Sequence, residues 1–133
     1  MESLLPLLLL ISITSVIGLL LRAKKGVIKR ATRVKISEGE FGGKYGSRLT
    51  ILQFSTTFCS ECRTAKAIVK DVVKEFKDIA YVEVDAESNL ELVRRVDIRS
   101  TPTTIFLDSK GFEIARAKGA PKRDQLIKAI KAI

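Results

Sequence analysis

The fold is decided by the stretch Leu52-Gln-Phe-Ser-Thr-Thr-Phe-Cys-Ser-Glu-Cys-Arg63, which joins an apolar run to an amphipathic segment. The residues Leu49–Ser55 form a short apolar run suited to a buried strand. From residue 59 to residue 76, apolar side chains recur at helical spacing and charged side chains occupy the opposite face. The stretch therefore predicts a strand, a short loop and a helix that opens at Cys59.

The two cysteines of this stretch, Cys59 and Cys62, are three residues apart at the predicted start of the helix. The unpaired N–H groups and the positive end of the helix dipole favour an anion there, which lowers the pKa of a thiol. The thiolate is the form that attacks a disulfide, so Cys59 is the candidate nucleophile. Cys62, on the same side of the first turn, can then attack the mixed disulfide. The pattern predicts thiol–disulfide exchange.

Two other interpretations of the cysteine pair stay open at this point. The pair can be half of a zinc site, but a tetrahedral site needs four ligands and the chain contains no His, so two copies would have to share the metal. The two thiols can also be inert and buried, which their position at a strand-to-helix junction argues against. We expect no metal and no cofactor.

The rest of the chain predicts further strands. Residues 80–84 alternate like a strand, and residues 103–107 and 112–117 form two more, separated by the hairpin signal Asp108-Ser-Lys-Gly111. A strand–helix–strand unit requires parallel pairing, whereas the closing hairpin is antiparallel. We therefore predict an α/β fold with a mixed central sheet and flanking helices.

Two helix starts are also predicted. Ser88 and Glu91 match a capping box that opens a helix ending at Val96. Pro121 lies where the first residue of the last helix would be. Val34 to Ile36 is either a short strand or the end of a basic tether, and the Gly-rich residues 37–48 predict a loop or linker.

The amino-terminal part predicts one transmembrane helix. An uncharged run begins at Leu4 and ends at Leu21, and as a helix it would extend about 27 Å, close to the hydrocarbon thickness of a bilayer. A cleavable signal peptide is the alternative, but the run lacks a basic region before it and a small-x-small cleavage site after it. We expect an anchor in residues 1–22, a basic and Gly-rich segment in residues 23–48, and a soluble domain in residues 49–133.

A basic segment follows the apolar run and accounts for most of the net charge of +9. It contains no acidic residue, and its seven cations are Arg22, Lys24, Lys25, Lys29, Arg30, Arg33 and Lys35. The positive-inside rule places this side of the anchor, and hence the soluble domain, in the cytoplasm. The cations can also bind anionic lipid head groups. We expect no nucleic-acid partner, because no stacking aromatic residues accompany the cluster.

Residues 49–133 resemble the thioredoxin family in three features. These are residues 52–63, the segment Val96-Asp-Ile-Arg-Ser-Thr-Pro-Thr103, and Gly119 ahead of the last helix. The resemblance implies a thioredoxin-like fold in which the Thr101–Pro102 bond is cis and lies opposite the cysteines. It also implies that the backbone of Thr101 pairs with an extended substrate, so that Phe58, Thr101 and Pro102 form the substrate-binding surface.

The chain departs from the family pattern at positions that tune the cysteines. Phe58 replaces the usual Trp, and Ser60 and Glu61 replace the usual Gly-Pro. Gln53 stands where the family often buries an Asp, and an amide cannot take a proton from the second cysteine. The charge of Glu61 would raise the pKa of Cys59, and a hydrogen bond from Ser60 would offset this.

These features predict a membrane-anchored thiol–disulfide oxidoreductase that reduces protein disulfides through Cys59 and Cys62. Its partners would be disulfide-containing proteins and a reductase or another dithiol that regenerates the pair. One alternative keeps the chemistry but puts the domain outside the cytoplasm, in thiol maturation. The other is a thioredoxin-like binding module without enzymatic activity.

Overall fold

The computed structural model describes residues 4–30 and 34–133. The first three residues of the expected anchor and Arg33 of the basic segment lie outside these ranges. The helices and strands of the described residues are α1 (Leu4–Ala23), β1 (Ile28–Arg30), α2 (Glu38–Phe41), β2 (Leu49–Ser55), α3 (Ser60–Val73), β3 (Ile79–Asp85), α4 (Leu90–Arg95), β4 (Thr103–Asp108), β5 (Glu113–Lys118) and α5 (Arg123–Ala132).

The described strands form one mixed sheet in the order β1-β5-β4-β2-β3. β2 pairs in parallel with β3 and antiparallel with β4, and β5 pairs antiparallel with β4. All the residues of β2 are buried, because the strand lies between two neighbours and both faces of the sheet are covered. The predicted α/β fold, a mixed sheet with flanking helices, is confirmed.

The core consists of two apolar layers, one on each face of the sheet. Side chains alternate along a strand, so Ile51 of β2 points to one face while Leu52 points to the other. α3 and α5 cover the first face, with Val69 and Leu126 packed near Ile51 in one cluster. α4 covers the second face, where Leu92 joins Leu52 in the other cluster. Apolar packing against helices therefore stabilises both faces of the sheet.

The Gly-rich residues 37–48 differ from the expected loop or linker, because they contain α2 and contribute to the core. Phe41 is buried against the α4 face, and Ile36 just before the segment is fully buried. The hydroxyl of Tyr45 donates to the carbonyl of Ile36 at 2.7 Å. A capping box joins Ser37 and Glu40 at the start of α2. Tertiary contacts therefore order a segment whose composition is typical of a loop.

Strand β1 lies within the basic segment and was not predicted. Ile28, Lys29 and Arg30 pair antiparallel with Ala117, Arg116 and Ala115 of β5. Without β1, β5 would be an edge strand with a row of unpaired N–H and C=O groups. β1 pairs with these groups over three residues. At Val34 to Ile36, where a short strand and the end of a basic tether were both left open, the structure has an isolated bridge between Lys35 and Phe112.

Two predicted helix starts are wrong by a few residues. The residue before α4 is Asn89, and the hydroxyl of Ser88 donates to the carboxylate of Asp85 at 2.5 Å. Ser88 is therefore used in a turn after β3 and does not cap the helix, as short polar side chains often bond nearby groups. α5 begins at Arg123 with Lys122 as its N-cap, so Pro121 precedes the helix.

Helix α1 is long and apolar enough to cross a membrane. It has 20 residues with a mean hydropathy of 2.6, and none of them is buried against the part of the chain that the structure describes. A signal sequence near the amino terminus meets the same criteria of length and composition. The helix would extend about 30 Å, which matches a bilayer core.

Replacing Phe41 by Ala should show that the Gly-rich segment belongs to the core. Phe41 is 6% exposed, so the truncation should lower the free energy of unfolding by about 3–5 kcal/mol. Phe58 is the matched control because it is 99% exposed, and its replacement by Ala should change stability by less than about 0.5 kcal/mol. Urea titration of the detergent-solubilised chain, followed by tyrosine fluorescence, measures both. Equal effects would mean that residues 37–48 do not pack as described.

Candidate active site

Cys59 and Cys62 form a disulfide at the start of α3. Cys59 is the N-cap residue, and its sulfur accepts a hydrogen bond from the N–H of Cys62 at 3.1 Å. Cys62 lies in the first turn and is 4% exposed, whereas Cys59 is only partly buried. Cys59 is thus the sulfur that another protein can reach, and Cys62 lies behind it.

The path of the chain explains this position. β2 ends at Ser55 beside the carboxyl end of β3, and α3 begins at Ser60 after a short loop. The first N–H groups of a helix lack partners within the helix and point toward the N-cap, where the positive end of the dipole also lies. Such an environment favours an anion at the N-cap position, which Cys59 occupies.

The loop before β4 lies next to Cys59. The Thr101–Pro102 peptide bond is cis, as the resemblance implied. The hydroxyl of Thr101 is 3.9 Å from the sulfur of Cys59 and 3.4 Å from the hydroxyl of Thr56. Pro102 is buried, and its carbonyl accepts a hydrogen bond from the N–H of Gly119 at 2.8 Å. The structure thus brings Thr101 and Pro102 together with the cysteines.

Phe58 lies beside Cys59, and its ring is 99% exposed. Single exposed apolar residues are common on protein surfaces, so exposure alone assigns no role. Its position next to the reachable sulfur leaves the ring open to an approaching protein. A contribution of Phe58 to substrate binding stays a prediction.

Gln53 is completely buried beneath the cysteine turn and fully hydrogen-bonded. Its amide nitrogen donates to the carbonyl of Cys62 at 2.9 Å and to the hydroxyl of Ser55 at 3.0 Å. Its amide oxygen accepts a hydrogen bond from the hydroxyl of Tyr81 at 3.0 Å. Gln53 therefore ties the first turn of α3 to β2 and β3.

Tyr81 is a residue of the site that sequence reasoning missed. Burial, reinforced by the charge of Glu83, raises the pKa of Tyr81 well above its usual value, so the hydroxyl stays protonated and donates to Gln53. The alternation of residues 80–84 predicts the strand that carries Tyr81, but it does not identify the partner of the Tyr81 hydroxyl. The pairing of β2 with β3 sets Tyr81 opposite Ile51, two residues before Gln53, and the hydrogen bond from its hydroxyl joins it to Gln53.

Glu61 and Ser60 both lie exposed in the first turn of α3. The carboxylate of Glu61 forms an ion pair with the ammonium group of Lys25 at 3.3 Å. Lys25 comes from the turn between α1 and β1, so sequence reasoning could not connect the two residues. The carbonyl of Ser60 accepts a hydrogen bond from Thr64. The expected bond from the Ser60 hydroxyl to Cys59 is not among the contacts of the described residues.

Replacing Gln53 by Glu should make stability depend on pH. A buried carboxyl resists ionisation, so its pKa in the folded state would lie above the unfolded value of about 4.3. The variant should therefore be most stable below that pH and lose about 1.4 kcal/mol per pH unit as the pH rises toward the folded pKa. Urea titrations of the oxidised chain, from below about pH 4.3 up to the folded pKa, measure how the free energy of unfolding changes with pH. Gln53→Leu is the control, and its difference from the wild type should not vary with pH.

Comparison with known proteins agrees with this geometry. The family model described as Thioredoxin matches residues 34–132. Thioredoxin H5 from Oryza sativa subsp. japonica is 34% identical over 58% of this chain and 56% of its own length, so the chain spans little more than half of that relative.

Solved structures are similar as well. A malaria-parasite thioredoxin-2, described as a component of the parasite's protein secretion machinery, is 28% identical with a TM-score of 0.60 over 65% of this chain and 84% of its own. The thioredoxin of Fasciola hepatica is 25% identical with a TM-score of 0.58 over 65% of this chain and 82% of its own. Because the family model covers most of the chain and includes the cysteine turn and the cis-proline loop, this chain belongs to the thioredoxin family.

Proposed function

We propose that the chain is a membrane-anchored thiol–disulfide oxidoreductase that reduces protein disulfides. The observation that carries the proposal is the position of Cys59, which caps α3 with a reachable sulfur and lies 3.9 Å from Thr101 of the cis-proline loop. This position suits disulfide exchange for two reasons. The N-terminus of α3 favours the thiolate that attacks a disulfide, and the cis-proline loop beside it can bind an extended substrate chain.

The reaction begins with the dithiol form. The Cys59 thiolate attacks one sulfur of the substrate disulfide, forms a mixed disulfide, and releases the other substrate sulfur as a thiolate that water protonates. Cys62 then loses its proton and attacks the sulfur of Cys59. The second substrate thiol leaves, and the Cys59–Cys62 disulfide remains. Two electrons have passed to the substrate, and a reductase or another dithiol must return them.

Gln53 and Tyr81 shape the second step. The amide of Gln53 cannot accept a proton from Cys62, and Tyr81 is held protonated. The proton of Cys62 therefore passes to water or to the departing substrate thiolate. Gln53 instead keeps Cys62 in place by binding its carbonyl group.

We propose that α1 is the membrane anchor and that the soluble domain faces the cytoplasm. Support comes from the apolar helix, in which no residue is buried, and from the cations that follow it. Lys24, Lys29 and Arg30 are exposed and line one side of a cavity of about 500 Å³ together with Lys118. This arrangement is suited to anionic lipid head groups.

Substitution of each cysteine tests the proposed activity. Cys59→Ser should abolish the acceleration that the solubilised chain gives to reduction of a protein disulfide by dithiothreitol, because the attacking thiolate is lost. When reduced Cys62→Ser is mixed with the substrate without dithiothreitol, it should accumulate a mixed disulfide, visible on a non-reducing gel, because the resolving thiol is lost. The wild-type pair should titrate reversibly with a reduction potential near or below about −230 mV. Full activity of Cys59→Ser would overturn the assignment of Cys59 as the attacking thiolate. No reversible disulfide, together with no acceleration by the wild-type chain, would leave a binding module as the function.

The ion pair beside the cysteines should tune the reduction potential. Glu61→Gln removes a negative charge next to the Cys59 thiolate, so the dithiol is stabilised and the potential becomes less negative. Because both partners are exposed, the effect should be worth about 0.2–1 kcal/mol, or roughly 5–20 mV. Lys25→Gln should shift the potential in the opposite direction. Redox titration at low and high salt measures both, and shifts of the same sign would refute this role for the pair.

A further inference from the structure

The turn between α1 and β1, residues 24–27, connects the apolar helix to the sheet over a very short distance. α1 ends at Ala23 and β1 begins at Ile28, which leaves four residues between them. Four residues span at most about 14 Å when fully extended. The edge of the sheet therefore stays close to the end of the apolar helix.

This turn is held on the sheet and does not act as a free tether. The N–H of Gly26 donates to the carbonyl of Lys118 at 2.5 Å, and the residues that follow pair with β5. Gly26 has a φ of 76°, and a Cβ at this position would collide with the carbonyl oxygen of Ala120. Only glycine tolerates both this positive φ and the close approach of the Ala120 carbonyl oxygen. Gly119, the residue after Lys118, donates its N–H to the carbonyl of Pro102, so residues 118–119 link the turn to the cis-proline loop.

The turn also forms one wall of the space beside the cis-proline loop. A cavity of about 220 Å³ lies between them, and the ion pair between Lys25 and Glu61 lies at its edge. Because Thr101 lines this cavity, an extended substrate that paired with Thr101 would lie next to it. Its lining includes Leu21, Lys24, Lys25, Glu61, Thr101 and Lys118.

A second cavity, of about 500 Å³, lies between the last turn of α1 and the first turn of α3. Leu19 and Arg22 line it from the apolar helix, and Glu61 and Thr64 line it from the cysteine helix. With α1 in a bilayer, the change from Leu21 to Arg22 marks the boundary between hydrocarbon and head groups. Both cavities then lie at this boundary, and Thr101, which lines the smaller one, has its hydroxyl 3.9 Å from the sulfur of Cys59.

We propose that the preferred substrates are disulfides of membrane proteins that lie at the bilayer surface, next to a membrane-spanning segment. This inference rests on the proposed reduction of protein disulfides. A disulfide held at the surface reaches Cys59 without lifting the domain, whereas a disulfide far from the bilayer requires the turn to detach from β5. In each turnover the Cys59–Cys62 dithiol gives two electrons to the substrate disulfide, which becomes two thiols.

The test uses the full chain in phosphatidylcholine vesicles with dithiothreitol as the electron donor. The substrates are two membrane-spanning peptides that carry the same disulfide loop. One loop directly follows the span, and the other is held about 30 Å above the bilayer by a rigid helical spacer of about 20 residues. We expect the near disulfide to be reduced at least about tenfold faster, because its effective concentration at Cys59 is higher. Equal rates, or a faster distant disulfide, would overturn the inference.

A matched variant isolates the role of the turn. A flexible Gly-Ser insert of about 12 residues between Ala23 and Lys24 keeps the anchor, the turn and the cysteines but frees the domain from the surface. The preference for the near disulfide should fall to about twofold or less. An unchanged preference in this variant would show that the short connection does not set it, and would overturn the inference.

A water-soluble peptide with the same disulfide loop separates the two proposals. A detergent-solubilised chain that reduces this peptide but shows no preference in vesicles overturns the surface preference alone. A chain that reduces none of the three peptides overturns the reductase function and the preference together. Loss of the chain from the vesicles in an alkaline carbonate wash contradicts the anchor and so also overturns the preference.

Discussion

The redox site depends on the pairing of β2 in the middle of the sheet. β2 bonds to β3 on one side and to β4 on the other, and both ladders are buried, so the strand cannot shift without leaving backbone groups unpaired. The end of β2 determines where α3 begins and hence where Cys59 lies. The register that places Phe54 opposite Thr103 also brings Pro102 to the same end of the strand. One pairing thus positions both halves of the site.

The interior beneath the cysteines is polar but uncharged. Gln53 makes hydrogen bonds to Ser55, Tyr81 and the carbonyl of Cys62, which satisfies an amide that burial would otherwise penalise. On the surface, Glu61 lies between the two cysteines in the sequence and forms an ion pair with Lys25. Exposed charges act through solvent and are screened by salt, so such a pair interacts only weakly with groups around it.

The basic and Gly-rich segment, residues 23–48, contributes strand β1 and helix α2 to the fold. β1 completes the edge of the sheet next to β5, and the capping box at Ser37 begins a helix that brings Phe41 into the core. The chain thus runs from the apolar helix into the sheet within a few residues. This short connection brings the redox site close to the end of α1. A longer linker would allow the domain to move freely relative to α1.

Local patterns in the sequence predict several of the helices and strands. The strand at Leu49–Ser55, the helix after Cys59, the final hairpin and the apolar helix follow from the spacing of apolar residues, because periodicity reflects which face is buried. The resemblance to thioredoxins added the cis bond at Pro102. Features that depend on residues distant in the sequence become visible in the folded chain alone. The tertiary structure paired β1 with β5, moved the start of α4 away from Ser88, and brought Tyr81 to Gln53 and Lys25 to Glu61. Such contacts join positions far apart in the chain, and no local pattern records them.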